Sequence, residues 1–74
     1  MEELLEILEE IRPNVDFENE TALVDGQILS SFDILSIISE ISEEFDIEVT
    51  PAQIVPANFN SAKAMWEMIQ RLQK

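Results

Sequence analysis

The chain contains no cysteine and no histidine, and it has only one glycine and three prolines among its 74 residues. Without cysteine there is no disulfide framework, no thiol nucleophile and no zinc–thiolate site. Without histidine, no histidine-activated serine nucleophile can be assembled within the chain. The sequence also lacks a glycine-rich loop that would bind a phosphate. We therefore expect a protein that is not an enzyme.

Carboxylates are abundant, but the pattern of the sequence places them on solvated helix faces, where nothing desolvates one for acid–base catalysis. The acidic segment DFENETALVDGQ, residues 16–27, has oxygen ligands at alternating positions, as a calcium loop does. It lacks the glycine that an EF-hand needs at its sixth position, and it ends in Gln27 where that loop has glutamate. We therefore predict no metal site.

Basic residues are scarce and lie only near the two ends of the chain. There are four of them against 16 acids, which gives a net charge of −12. Residues 13–62 contain no base at all, and their acids are Asp16, Glu18, Glu20, Asp25, Asp33, Glu40, Glu43, Glu44, Asp46 and Glu48. Such a surface repels nucleic acid and anionic lipid, and it attracts basic patches on partner proteins. Alternatively, the acids only keep a small domain soluble and monomeric.

The composition favours one small folded domain over residues 1–74, because 46% of the residues are hydrophobic. The first ten residues, MEELLEILEE, are acidic and amphipathic, unlike a secretory signal or a transit peptide. No uninterrupted apolar run approaches the length that spans a membrane. We expect a cytoplasmic domain that does not insert into membranes.

Apolar residues recur at helical spacing in three segments. The first predicted helix spans residues 2–12 and is stopped by Pro13. The second begins at Ser30 or Ser31 and runs to about Phe45. Its apolar stripe consists of Ile34, Ile38, Ile41 and Phe45, widened by Leu35 and Ile37. The last helix begins after Asn60 or Ser61, and its apolar side consists of Met65, Met68, Ile69 and Leu72, with Trp66 at the edge.

Two irregular segments connect these helices. The longer one contains the only glycine, Gly26, after Asp25, which predicts a turn. Its apolar residues are expected to hold it against the core, and they are Val15, Phe17, Leu23, Val24, Ile28 and Leu29. In the shorter one, Thr50 and Pro51 predict a short helical turn that Pro56 ends. No segment has a convincing strand pattern, so we predict an all-α fold of three or four helices.

Two adjacent serines stand at the predicted start of the second helix. Ser30 lies three residues before Asp33, and this spacing predicts a capping box that stabilises the helix start. Ser31 would be the first helical residue, with its hydroxyl directed outward at the electropositive end of the helix. A phosphodiester attached to Ser31 would be favoured by the field that binds phosphates at helix N-termini.

The segment ILSSFDILSIISEISEEFDIEV resembles the modification-site segment of the acyl carrier proteins. The resemblance extends over nearly the whole chain. It includes the acidic first helix, the DG pair before the serines, and FNSAKAMWEMI at the start of the last helix. It implies a small four-helix acyl-carrier bundle with a long first loop and a short third helix near Ala52 to Val55. In that family, a separate transferase uses coenzyme A to convert a serine into a phosphopantetheine ester.

The resemblance also assigns roles to individual residues of this chain. Ser31 matches the modified serine, and Phe32 matches the apolar residue that follows it. In that family, the second helix contacts basic patches of the transferase and of the enzymes that load or use the acyl group. In this chain, that helix carries Asp33, Glu40, Glu43 and Glu44.

The chain departs from the family at Ser30, where the usual residue is an aspartate that helps to bind a metal ion in the transferase complex. This departure implies slower modification or a dedicated transferase. Ser36 stands where fatty-acid carriers often have an acid, and the segment between the second and last helices is slightly longer. These differences favour a specialised stand-alone carrier, such as a D-alanyl or a peptidyl carrier.

The resemblance thus implies a monomeric carrier of acyl or aminoacyl groups, held as a thioester on a phosphopantetheine arm at Ser31. Such carriers serve fatty acid, polyketide or nonribosomal peptide biosynthesis, and the sequence does not distinguish among these cargoes. The alternative from the residues alone is an unmodified, acidic, helical protein-interaction domain.

Overall fold

A computed structural model describes residues 1–73 as a bundle of four α-helices. The helices are α1 (Glu2–Ile11), α2 (Ser31–Glu44), α3 (Pro56–Phe59) and α4 (Ala62–Leu72), and a 3₁₀ turn (Pro51–Gln53) precedes α3. The radius of gyration is 11.0 Å, close to the roughly 11 Å expected for a compact chain of this length. The described residues form no strand, so the all-α prediction is confirmed. No helix within them is both long and apolar enough to cross a membrane.

The three longer helices enclose one hydrophobic core. Helix α1 contacts both α2 and α4. The fully buried side chains of these helices are Leu4, Leu8, Ile37, Ile41, Met65, Met68 and Ile69. Each such side chain contributes roughly 1.5–3 kcal/mol when it leaves water. Burial of these amphipathic faces is therefore the main force that holds the bundle together.

The apolar stripe of α2 is narrower than the sequence predicts. Ile37 and Ile41 are fully buried and Ile34 and Ile38 are half-buried, but Leu35 is 63% exposed. A helix turns by about 100° per residue, so Leu35 points nearly opposite to Ile37. The prediction that Leu35 widens the core stripe is therefore wrong.

Helix α2 ends through its backbone. Asp46 has a left-handed conformation with φ of 53°, and the N–H of Ile47 donates to the carbonyl of Ser42 over 3.1 Å. This is the hydrogen bond of a Schellman motif, in which the chain turns back after the helix. Ile47 then enters the core, where it is 9% exposed. The predicted end near Phe45 is confirmed.

The short third helix lies later in the chain than predicted. The sequence predicts it near Ala52 to Val55, with Pro56 as its end. The helical turn predicted from Thr50 and Pro51 is confirmed as the 3₁₀ turn Pro51–Gln53. Pro56 does not end this turn but begins α3. Proline lacks an N–H and has a fixed φ, so it suits the first turn of a helix as well as the residues that follow one. Phe59, the last residue of α3, is 1% exposed and anchors the helix in the core.

Helix α4 begins as predicted, directly after Ser61. The Ser61 hydroxyl accepts a hydrogen bond from the N–H of Ala64 at 3.0 Å, so Ser61 is the N-cap. Trp66 is half-buried, and its ring meets that of Phe45 edge to face at a centroid distance of 5.7 Å. Trp66 therefore lies at the edge of the core, as predicted.

Candidate functional site

The start of α2 is fixed by the predicted capping box. The Ser30 hydroxyl accepts a hydrogen bond from the N–H of Asp33 at 3.1 Å. In return, Oδ2 of Asp33 accepts one from the N–H of Ser30 at 3.0 Å. The two side chains therefore satisfy backbone donors that have no partner within the helix. The Ser30 hydroxyl therefore acts as the N-cap of α2.

Ser31 occupies a different position at the same helix end. It is the first residue of α2 and is exposed. Within residues 1–73 its hydroxyl makes no hydrogen bond, in contrast to the hydroxyl of Ser30. The positive end of the helix dipole lies at this turn. Ser31 thus presents an accessible hydroxyl where an attached anion would be favoured.

An ion pair ties this helix start to the end of α1. Nη1 of Arg12 lies 2.6 Å from Oδ2 of Asp33, and the Asp33 side chain is only 13% exposed. The hydrogen bond from the backbone N–H of Ser30 lowers the pKa of Asp33 most, and the hydrogen bonds from Arg12 and from the Ser30 hydroxyl lower it further. Partial burial of the carboxylate opposes this shift. The sequence did not identify Arg12, because its partner is 21 residues away. The carboxylate of Asp33, predicted to face partner enzymes, is held by contacts within the chain.

The other three acids that were predicted to contact partners are exposed but face different directions. Glu40 and Glu44 line a cleft between α1 and α2, together with acids of α1, Glu3, Glu6 and Glu10. Glu43 lies outside this cleft. By helical spacing, Glu43 shares the outer face of α2 with Phe32, which is 77% exposed. The structure thus divides the predicted contact residues between two surfaces.

An apolar groove lies beside the start of α2. Its lining residues are Val24, Ile34, Ile54, Val55, Pro56 and Phe59, and its volume is about 190 Å³. Ile34 lies three residues after Ser31, so the two are neighbours along the helix. Ile54 and Val55 are each 42% exposed at the groove. The sequence did not predict this groove, because α2, α3 and the long loop all contribute to it.

One residue, Asn60, fastens the long loop to the junction between α3 and α4. Its Oδ1 accepts hydrogen bonds from the N–H groups of Val24 and Asp25 at 3.0 Å each. Its Nδ2 donates to Oδ2 of Asp25 at 3.0 Å, and its backbone carbonyl accepts from the N–H of Leu23 at 2.9 Å. We call this set of four hydrogen bonds the Asn60 clasp. The sequence identified Asn60 only as a candidate cap for the last helix, a position that Ser61 takes.

The predicted Asp–Gly turn continues from the clasp toward Ser30. The N–H of Gly26 donates to the carbonyl of Ala22 at 2.6 Å, and a Cβ on Gly26 would meet that oxygen at 2.6 Å. Glycine is therefore required here by close approach, whereas the left-handed residue of the turn is Gln27, with φ of 58°. The N–H of Leu29 then donates to the carbonyl of Leu23. The turn therefore ends immediately before Ser30, the N-cap of α2.

The loop considered as a calcium site uses its carboxylates internally. Asp16 accepts a hydrogen bond from Asn19 at 2.8 Å, and Asp25 takes part in the Asn60 clasp. Across residues 1–73, no three acidic, histidine or cysteine side chains are grouped so as to hold a metal ion.

Comparison with protein-family models found no match, and neither did comparisons with curated proteins and with solved structures. The function therefore has to be inferred from the residues at the start of α2 and from the sequence resemblance described above.

Proposed function

We propose that this chain is an acyl carrier domain, modified with phosphopantetheine at Ser31, that holds an acyl or aminoacyl group as a thioester. The main support is the contrast between the two serines. Ser30 caps α2 through its hydroxyl, whereas Ser31 is exposed at the same positive helix end. The fold thus explains Ser30 and leaves the Ser31 hydroxyl accessible to a modifying enzyme.

The surroundings of Ser31 suit a phosphodiester. The only acid in the first turn of α2 is Asp33, and its charge is compensated by Arg12 at 2.6 Å. The helix end itself favours an anion. Phosphopantetheine supplies a thiol, which lets a chain without cysteine take part in thioester chemistry.

The apolar groove beside Ser31 supports an acyl cargo. Its lining consists of aliphatic residues, proline and phenylalanine, which favour an apolar group over a charged one. A hydrocarbon chain that entered the groove would leave water and gain roughly 0.8 kcal/mol for each buried methylene. The groove therefore offers an apolar acyl group a place beside the serine that would carry the phosphopantetheine arm.

The proposed partners are a phosphopantetheinyl transferase and enzymes that load or use the acyl group. Phe32 and Leu35 are 77% and 63% exposed on α2, and Glu43 extends the same outer side of the helix. The net charge of −12 attracts basic surfaces to the chain and repels nucleic acid and anionic lipid. We propose that partners dock here with a basic rim around an apolar contact.

The test of this function is the intact mass after incubation with coenzyme A and a broad-specificity transferase. We expect the wild-type chain to gain the mass of one phosphopantetheine group. Ser31→Ala should gain nothing, because it lacks the acceptor hydroxyl, whereas the matched control Ser30→Ala should still be modified. A Ser31→Ala chain that gained the cofactor mass would sink the assignment.

A second experiment locates the partner surface by reversing single charges on α2. Glu43→Lys should slow modification and weaken its dependence on salt, because steering of the transferase loses a charge on the outer face. The matched control is Glu40→Lys, which lies in the cleft with α1 and should change the rate less. If both variants were modified at the wild-type rate, the outer face of α2 would not be the docking surface.

The second candidate is an unmodified protein-interaction domain. Exposed Phe32 and Leu35 favour it, because large apolar side chains in solvent often mark contact surfaces. This function predicts no mass gain in any variant. It also predicts that a partner binds equally well to wild-type and Ser31→Ala chains, and less well to Phe32→Ser.

A further inference from the structure

The groove beside Ser31 is small. Its volume is about 190 Å³, whereas sites for small molecules usually measure roughly 300–1,000 Å³. A long acyl group is therefore fully enclosed only if one wall moves outward. The lining residue that can move outward most easily therefore decides how large an acyl group the groove can enclose.

The walls of the groove differ in how they are held. Ile34 belongs to α2, and Phe59 is 1% exposed in the core, so both move only with their helices. Val24 is half-buried in the long loop, outside any helix. Loops open at a lower free energy than packed helices do. Ile54 and Val55 also lie outside the helices, but Val24 differs from them because its N–H is bound by a side chain from the junction of α3 and α4.

The Asn60 clasp supplies this hydrogen bond. Oδ1 of Asn60 receives the N–H of Val24 itself and that of the next residue, Asp25. Asn60 also directly follows Phe59, which lines the groove as well. A single side chain thus fixes the loop wall relative to the α3 wall. Its loss would release Val24 without removing any residue that lines the groove.

We infer that Asn60 is a positioning residue that sets the width of the groove through Val24 and so limits the length of apolar acyl group that is sheltered. This inference rests on the proposed carrier function. It concerns the size of the cargo, not the modification of Ser31. Release of the clasp should widen the groove and favour longer chains.

The first test uses the unmodified protein and a neutral, apolar, environment-sensitive dye as the probe. Asn60→Ala removes the side-chain hydrogen bonds of the Asn60 clasp. Val24→Ala shortens the side chain that lines the groove from the long loop. We expect Asn60→Ala to bind the dye about fivefold more tightly than wild type, since the net strength of one hydrogen bond corresponds to roughly that factor. Val24→Ala keeps its backbone hydrogen bond and should also bind the dye more tightly, because its smaller side chain widens the groove. Asn19→Ala, in the same loop but bonded only to Asp16, is the matched control and should leave the affinity unchanged.

A rescue variant separates the clasp from a general loss of structure. The double variant Asn60→Asp, Asp25→Asn exchanges the two side chains, so that an amide again faces a carboxylate and an acceptor again faces the two N–H groups. We expect its dye affinity to return toward the wild-type value. A folded Asn60→Ala chain with unchanged affinity would overturn the inference, as would a double variant that binds as tightly as Asn60→Ala. If Asn60→Ala does not fold, unchanged affinity in Val24→Ala overturns it.

The second test compares hydrolysis of short-chain and long-chain acyl thioesters on the modified protein. We expect Asn60→Ala to slow hydrolysis of the long chain selectively, because a wider groove shelters it from water. A general loss of structure would change both rates together. If wild type accepts no phosphopantetheine, the carrier function fails and the dye experiment still measures the groove. If wild type is modified but the ratio of rates is the same in Asn60→Ala, the inference fails and the carrier function stands.

Discussion

The two ends of α2 are held by different kinds of interaction. At its start, side chains provide the contacts: Ser30 and Asp33 cap each other's backbone, and Arg12 binds Asp33. At its end, the backbone turns at Asp46 and the next residue, Ile47, is buried. The start therefore depends on hydrogen bonds between polar groups near the surface, whereas the end depends on apolar burial.

This difference shows how one helix can combine stability with an accessible site. Polar caps near solvent contribute modest free energies, and they leave the neighbouring residue, Ser31, exposed. Buried apolar contacts contribute more and exclude solvent. A reactive or modifiable group is therefore easier to accommodate at the start of α2 than at its end, and single substitutions should reveal the contrast.

The largest effect is expected at the buried end. Ile47→Ala should lower the free energy of unfolding by about 2–3 kcal/mol, because it removes apolar contacts and leaves a cavity. Urea denaturation measures this loss. Ile54→Ala, in the same segment but 42% exposed, is the control and should cost less than half as much. Equal losses in the two variants would contradict the difference in burial.

A smaller effect is expected at the capped start. Ser30→Ala should cost about 0.5–2 kcal/mol, because the N–H of Asp33 loses its acceptor. Ser30→Asp should retain most of the stability, since aspartate is also a good N-cap. The same urea experiment checks both variants. Ser30→Asp also introduces the residue usual in acyl carriers, and under the proposed function it should speed transfer of phosphopantetheine.

The ion pair at the start predicts a pH effect. Because Ser30 and Arg12 lower the pKa of Asp33, its contribution is fully present above the unfolded value of roughly 3.9. It is lost as the pH falls through the lower pKa of the folded state. Asp33→Asn should therefore reduce stability by at most about 1 kcal/mol at neutral pH, and the difference from wild type should shrink in acid. Thermal unfolding at several pH values measures this, and a constant difference would contradict it.

The smallest effect is a gain at the backbone turn. Asp46→Gly should raise the free energy of unfolding by about 0.5 kcal/mol, because glycine adopts the left-handed conformation at φ of 53° without steric cost. Gln27→Gly, at the other left-handed residue, is the matched comparison in the long loop. Chemical denaturation of both variants should show gains of the same sign, and a loss in either would mean that its side chain has a further contact.

Local sequence patterns predicted the parts of the fold that depend on near neighbours. The Ser30–Asp33 spacing gave the capping box, and the helical periodicity gave the three longer helices. The position of α3 was predicted wrongly, because Pro56 is compatible with both the end and the beginning of a helix. Leu35 was predicted to widen the core stripe of α2. Only one side of this helix is buried, and Leu35 lies on the opposite side.

The parts of the site that the sequence did not predict depend on distant neighbours. Arg12 and Asp33 are 21 residues apart in the sequence. Asn60 contacts Val24 and Asp25, which precede it by 36 and 35 positions. Neither contact leaves a local pattern, because an arginine before a proline and an asparagine before a helix are both common. Only the packing of α1, α2 and the loop brings these groups together.

The edge-to-face contact between Phe45 and Trp66 gives this protein a built-in optical reporter. Trp66 is the only tryptophan, and the chain has no tyrosine, so its ultraviolet fluorescence comes from one indole. That indole lies 5.7 Å from the ring of Phe45, the residue that closes α2. Separation of α4 from the end of α2 would bring water to the half-buried indole and shift its emission to longer wavelength. The contact between these two helices can therefore be followed in the unlabelled chain.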